Sequence, residues 1–238
     1  MRIALIGYGK MGKAVEQIAL ERGHSVSAIV DIDSKIKISS ELKNIADIAI
    51  EFSTPAAAKN NIENCLSLGI TVVSGTTGWS FDRKEFEKIC TKNSVALFYA
   101  TNYSIGVNIF MKINEKLAEI MSNFPDYNAR IEETHHIHKL DKPSGTAISL
   151  ANGIINKNPK YVKWMLNPSD DKNKIDITSF REGEIFGDHE IVWENEIDRI
   201  NIKHSAKSRR GLALGAILAA EFISNKTGVF SMDDLLKI

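Results

Sequence analysis

Between Glu133 and Thr146 the chain reads Glu133-Thr134-His135-His136-Ile137-His138-Lys139-Leu140-Asp141-Lys142-Pro143-Ser144-Gly145-Thr146. Three imidazoles, two ammonium groups and two hydroxyl-bearing residues at a helix start are groups that move protons and bind anions. Imidazole is the side chain best able to give or take a proton near neutral pH. The run lies between a strand-like segment, Asn128 to Glu133, and an apolar helix-like one from Ala147 to Ile155. It therefore reads as a functional loop on a rigid scaffold. Three readings compete. As a zinc site, His135, His136 and His138 lack the i, i+4 spacing of helical ligands, and no carboxylate or Cys motif nearby completes the set, so no metal is expected. As a plain connection, the polar groups would be solvated. As an acid/base and anion site, every group has a role. Lys139 offers a cation or a proton, and Ser144, Gly145 and Thr146 open a helix whose free N–H groups suit a carboxylate. The third reading implies a small substrate with more than one carboxylate.

What must bring a reactant to this run is written at the N-terminus. Arg2 to Ile6 reads as a buried strand, followed by Gly7-Tyr8-Gly9-Lys10-Met11-Gly12, a helical pattern from Lys13 to Arg22, a strand from Ser25 to Val30, and Asp31. Strand, G-x-G-x-x-G turn, helix, strand and acid in that order are the dinucleotide-binding pattern, with Asp31 19 residues beyond Gly12 to meet a ribose. The alternation continues through strands Asp47 to Phe52, Ile70 to Ser74 and Val95 to Tyr99, and helices opening at Pro55 and Asp82. Alternating strands and helices predict a parallel, doubly wound sheet with ligands beyond the strand ends. The segments Phe52-Ser53-Thr54, Gly75-Thr76-Thr77 and Ala100-Thr101-Asn102 fall there and are expected at the cofactor. Asp31 favours NADH, because a 2′-phosphate would meet like charge. Lys35 and Lys37 could accept that phosphate, so NADPH use stays open.

After Gly106 the texture changes. A long amphipathic helix is expected over 107–124, an exposed polar connection over 156–173, and strands at Lys174 to Arg181, His189 to Glu194 and Ile197 to His204. These strands predict an open, antiparallel-leaning sheet with one covered face. A last apolar helix, Leu212 to Ile223, would return to the first domain. With 30 basic and 30 acidic residues the net charge is zero, which argues against a nucleic-acid partner. No run is long and apolar enough for a membrane span, and the first apolar stretch is too short for a signal peptide. The cysteines, Cys65 and Cys90, form no metal spacing and are expected as reduced thiols of a cytoplasmic protein.

The Glu133–Ala147 run also resembles the signature of the dihydrodipicolinate (4-hydroxy-tetrahydrodipicolinate) reductase family, E-x-H-H-x-x-K-x-D-A-P-S-G-T. The likeness extends to the glycine turn, Ser74-Gly75-Thr76-Thr77-Gly78, Asn102 to Asn108, Arg181-Glu182-Gly183, Gly187-Asp188-His189, and His204 through Arg209 to Ala216. The resemblance implies an α/β fold: a Rossmann-like parallel-sheet domain (1–103 and 207–238) plus an α+β substrate and tetramerisation domain (104–206) with an open mixed sheet. It implies NADH- or NADPH-dependent reduction of a cyclic unsaturated dicarboxylate in lysine and diaminopimelate synthesis by a homotetramer. By position, His135 would be the general acid and Lys139 a second proton donor and carboxylate partner. His136, Ser144, Gly145 and Thr146 would bind substrate. Gly7, Tyr8, Gly9, Lys10, Met11, Gly12, Asp31, Gly75, Thr76, Thr77, Ala100, Thr101, Asn102 and Tyr103 would hold the cofactor. The chain departs from the pattern at Lys142, where alanine is usual, at Ile137, where arginine is frequent, and at Thr101. Two rival readings are a reductase of an amino acid or 2-hydroxy acid and an NADH-sensing module, which would need an effector segment that the sequence does not show.

Overall fold

The computed structural model describes residues 1–167 and 171–237, so Pro168 of the expected polar connection lies outside the described residues. The chain divides into two compact units, Met1–Ile105 with Arg209–Ile238, and Gly106–Ser208. The chain enters the first unit through β1 (Arg2–Ile6), α1 (Lys10–Glu21), β2 (Ser25–Val30), α2 (Ser40–Ile45), β3 (Ile48–Glu51), α3 (Pro55–Ser67), β4 (Thr71–Ser74), α4 (Arg83–Asn93) and β5 (Ala96–Tyr99). The middle of the chain supplies α5 (Ile105–Met121), β6 (Asn128–His135), α6 (Gly145–Lys157), β7 (Lys163–Leu166), β8 (Lys174–Arg181), β9 (Asp188–Glu194) and β10 (Arg199–Ser205). The C-terminal part adds α7 (Arg210–Ile223), β11 (Gly228–Phe230) and α8 (Met232–Leu236).

The first unit is a six-stranded sheet in the order β11-β5-β4-β3-β1-β2, with every pair parallel. Its strands are apolar on both faces because both faces are covered. Ile3 and Leu5 point to a cluster with Val15 and Ile18 of α1 and Ala216, Ile217 and Ala220 of α7. Ala4 and Ile6 point the other way, to Ile62 and Leu66 of α3 and Phe86 of α4. Pro55 stands in the first turn of α3, and Asp82 caps α4 by accepting from Lys84 and Glu85 N–H. Cys65 and Cys90 are both buried, which pushes their thiols up to about 12 and about 11. Strand order reverses on either side of β1, so the crevice beyond its carboxyl end is the place where such sheets take ligands.

The second unit carries a mixed sheet, β10-β9-β6-β8-β7, with antiparallel pairs on the β9 side of β6 and parallel pairs on the β8 side. The expected antiparallel bias is therefore only half present. Helices α5 and α6 bury Phe110, Ala118, Leu150, Ala151 and Ile154 against Ile131, Ile175, Ile177, Ile191 and Trp193. The expected polar connection contains β7. Only Trp164 and Leu166 turn inward there, which is too short a signal against the flanking charges. Among the described residues, no helix is long and apolar enough to cross a membrane.

Candidate active site

Strand β6 alternates strictly, with Ala129, Ile131, Glu133 and His135 all on the buried face. His135 therefore ends a strand and does not float in the loop that the polar run suggests. A strand fixes a side chain more tightly than a loop does. On a strand, residues i and i+2 share a face, so Glu133 and His135 meet: the Glu133 carboxylate is hydrogen-bonded to His135 Nδ1. His135 is 8% exposed and Glu133 fully buried. With Nδ1 engaged, Nε2 is the free ring nitrogen. It lies against Gly187, where a Cβ would come within 2.9 Å of it, so any larger residue there would press on that edge of the ring.

Arg181 is the second support. Strand pairing sets it opposite His135, and its Nη2 is 3.0 Å from Glu133 Oε1. The same guanidinium donates to the Lys139 carbonyl at 3.2 Å and the Asp141 carbonyl at 2.6 Å. It thus ties the loop after β6 to the carboxylate that orients His135. Burial pushes the Glu133 carboxyl up, but the hydrogen bond with His135, with the Ser179 hydroxyl and the Arg181 guanidinium close by, outweighs it and brings it down to about 2. Glu133, His135 and His189 have donor atoms within 4.8 Å of one another. The Arg181 cation already on this carboxylate opposes a metal ion there.

Lys139 is held at 2.7 and 2.8 Å from the two Asp141 oxygens, and this hydrogen bond and the ammonium charge lower the Asp141 carboxyl despite some desolvation. Asp141 is exposed, and a pair of this kind is worth about 0–1 kcal/mol. Ser144 is buried and caps α6 through Ala147 N–H at 3.2 Å, and its hydroxyl shares a 2.9 Å hydrogen bond with His189 Nε2. Gly145 and Thr146 form the first turn, whose N–H groups have no partner inside the helix. His136 is half-buried beside His138, at 6.0 Å between ring centres, while Lys142 and Ile137 face solvent. The polar run thus gathers His135, His136, Lys139, Ser144, Gly145 and Thr146 within the second unit.

In the first unit, the remaining predicted residues all follow carboxyl ends of parallel strands. Gly7 has φ +87°, and a Cβ on it would lie 2.2 Å from the Phe52 carbonyl oxygen. A Cβ on Gly12 would lie 2.4 Å from the Gly7 carbonyl oxygen. The α1 N-terminus has no side-chain cap. Asp31 accepts from Tyr8 N–H at 3.1 Å and Ile32 N–H at 2.8 Å. Gly7, Asp31, Lys37, Ser53 and Thr54 line a cleft of about 410 Å³. Lys35 does not line it. Tyr103 is buried, with its hydroxyl donated to the Ser74 carbonyl at 2.7 Å, so that group braces the loop after β4.

Sequence reasoning did not single out Glu133, Arg181 or His189 as site residues. The signal for Glu133 was present in its inward phase on β6. Arg181 and His189 needed the strand pairing.

Residues 1–103 match the family model described as dihydrodipicolinate reductase, N-terminus, and residues 106–236 match the corresponding C-terminus model. The chain is 46% identical to 4-hydroxy-tetrahydrodipicolinate reductase of Christiangramia forsetii, over 99% of this chain and 98% of that one. It is 34% identical to the protein of the same name from Thermosipho africanus, over 100% and 98%. Its fold superposes on dipicolinate-bound dihydrodipicolinate reductase from Paenisporosarcina sp. TG-14 with a TM-score of 0.80, 22% identity and 97% coverage of both chains. Both units are matched, in order and over nearly their full lengths: the chain belongs to the dihydrodipicolinate reductase family.

Proposed function

We propose that this chain reduces 4-hydroxy-tetrahydrodipicolinate, or its dehydrated ring, to tetrahydrodipicolinate, with His135 as proton donor. The observation that carries the reading is the Glu133–His135 pair, which fixes one ring nitrogen and leaves Nε2 to act. The ring gains a hydride and a proton, and a 4-hydroxyl, where present, leaves as water. As the imidazolium, His135 delivers its Nε2 proton while Nδ1–H stays donated to Glu133, which fixes the orientation of the ring. Lys139, exchanging Asp141 for substrate, and the first turn of α6 at Gly145 and Thr146 take the two carboxylates. His136 would complete the substrate contacts. The Paenisporosarcina enzyme was solved with dipicolinate, itself a ring dicarboxylate, which supports this class of substrate.

The residues of the first unit fit a dinucleotide. The Gly7–Gly12 turn has no room for a Cβ at either end, and α1 opens without a side chain occupying its N–H groups, as a diphosphate requires. A nicotinamide dinucleotide bound there supplies the hydride. Gly7, Tyr8, Gly9, Lys10, Met11 and Gly12 would hold the diphosphate, and Asp31 the ribose. Gly75, Thr76, Thr77, Ala100, Thr101, Asn102 and Tyr103 lie on the same strand edge, with Thr76 and Tyr103 contributing through backbone because their hydroxyls are engaged. Asp31 at the cleft favours NADH, while Lys37 in the same lining admits NADPH. A higher kcat/KM with NADH than with NADPH is the expected result, and the reverse order would contradict the role given to Asp31.

Lys139→Ala tests the carboxylate partner. Both turnover and substrate affinity are expected to fall at least tenfold, on the scale of a lost charge-assisted hydrogen bond. A variant with a lower melting temperature and unchanged kinetics would make Lys139 structural. We further propose a homotetramer assembled through the open sheet. Its edge strand β10 exposes Ile200, and Ile197 before it is 88% exposed, apolar area that further copies would cover. The two buried, unpaired thiols support a cytoplasmic location.

A further inference from the structure

Glu51 closes β3 in the first unit and is fully buried, yet no ion pair reaches it among the described residues. A carboxylate in such a place requires hydrogen-bond donors. It has them from two loops. Oε1 accepts from Ser53 N–H at 2.9 Å, from the Thr76 hydroxyl at 2.8 Å and from the Ser53 hydroxyl. Oε2 accepts from the Ser74 hydroxyl at 2.7 Å. The Thr76 oxygen also accepts from Ser53 N–H at 2.9 Å, and the Thr76 carbonyl accepts from Trp79 Nε1 at 2.8 Å. One buried carboxylate therefore joins the loop after β3 to the loop after β4. A strand that only had to pack would be served by an apolar side chain, as at Ile48 and Ile50.

Both loops stand on the edge of the sheet that carries the Gly7–Gly12 turn, and Ser53 lines the same cleft as Gly7 and Asp31. With its hydroxyl and its carbonyl both fixed, Thr76 has its peptide planes set before any ligand arrives. We infer that Glu51 is a positioning residue for the dinucleotide: by gathering the hydroxyls of Ser53, Ser74 and Thr76 it holds the backbone of both loops in the binding geometry. The role rests on the reading that this unit binds NADH or NADPH. It belongs to Glu51 as an acceptor of several donors at once. Glutamine is a poorer fit: its oxygen can keep the donors from Ser53 and Thr76, but its amide nitrogen turns two N–H groups toward Ser74, whose hydroxyl must reverse to accept one and leaves the other without a partner.

The test uses the whole chain, with NADH affinity read by fluorescence titration in the absence of substrate and repeated with NADPH, and with KM for the dicarboxylate read in a separate turnover assay. Glu51→Gln is expected to weaken binding by roughly tenfold or more, the scale of buried donors left unsatisfied. KM for the dicarboxylate should stay within about twofold, because its proposed partners lie in the second unit. Glu51→Asp, which keeps two acceptor oxygens, should restore most of the affinity. Unchanged NADH affinity in Glu51→Gln overturns the role, as does a lower melting temperature with unaltered affinity. Should Glu51→Gln not fold, Thr76→Val removes the hydroxyl through which the carboxylate acts, and wild-type affinity there overturns the role equally. A wild-type protein that binds neither nucleotide overturns the dinucleotide reading itself and the role with it. Binding by the wild type and Glu51→Gln alike overturns the role alone.

Discussion

His135→Gln is expected to lower turnover by roughly two orders of magnitude, the contribution of a well-placed general acid. Glutamine is close in size and can still donate to Glu133, so the fold of β6 should survive. What it lacks is a second nitrogen that releases a proton near neutral pH. The loss corresponds to about 2.7 kcal/mol of transition-state stabilisation. It should appear in kcat more than in KM, because the proposed role of Nε2 is on the reacting ring and the proposed carboxylate partners are other groups. NADH affinity should be unchanged, since the proposed cofactor residues belong to the first unit. Stopped-flow measurement of NADH oxidation, alongside an NADH titration, reads both quantities. A variant that turns over like the wild type would remove His135 from the chemistry.

The second large effect is on stability in acid. His189 is buried beside His135, and desolvation first, then the neighbouring imidazole, pulls it down to about 4, with Glu133 and Asp188 opposing and His204 adding to the fall. Its ordinary value is near 6.5. Between these two values the unfolded chain holds a proton that the folded chain does not, so stability falls as pH drops from about 6.5 to about 4. The full window is worth roughly 3 kcal/mol for this one residue. Glu133 acts in the same direction at lower pH, because its folded value of about 2 lies below the ordinary 4.5. Stability is therefore expected to be nearly level above pH 7 and to decline steeply below 6. Denaturant titrations from pH 7.5 to 4.5, followed by fluorescence of the fully buried Trp193, measure it. His189→Asn should flatten the slope whatever its absolute stability. An equal slope in the variant would show that His189 titrates freely.

Much of this protein can be read from residue order, and the places where reading fails share a physical cause. The first unit is written locally: apolar strands buried on both faces, helices with caps, and glycines at turns follow from neighbouring residues alone. The polar run from Glu133 to Thr146 is legible for the same reason, since its groups sit together in sequence. What depends on pairing between distant strands is hidden. Arg181 faces His135 only because β8 lies parallel to β6, and His189 reaches Ser144 only because β9 lies on the other side of β6. Glu51 was legible in type, as an acid ending an apolar strand, but its partners come from the loop after β4. Placing His135 in a loop was an error of emphasis: a cluster of polar residues masked a two-residue period that runs through Glu133 to His135. The strands β7 and β11 are too short to show a period and exist because a longer neighbour offers an edge.

In the proposed reaction a pyridine nucleotide gives its hydride to a cyclic dicarboxylate and His135 gives the proton. Its most direct measurement is NADH oxidation on adding 4-hydroxy-tetrahydrodipicolinate, with the product identified, in wild type and His135→Gln side by side. One NADH consumed for each tetrahydrodipicolinate formed by the wild type, and a rate lower by roughly 10² in the variant, is the predicted result. Tight NADH binding without oxidation, or equal rates in the two proteins, would contradict it.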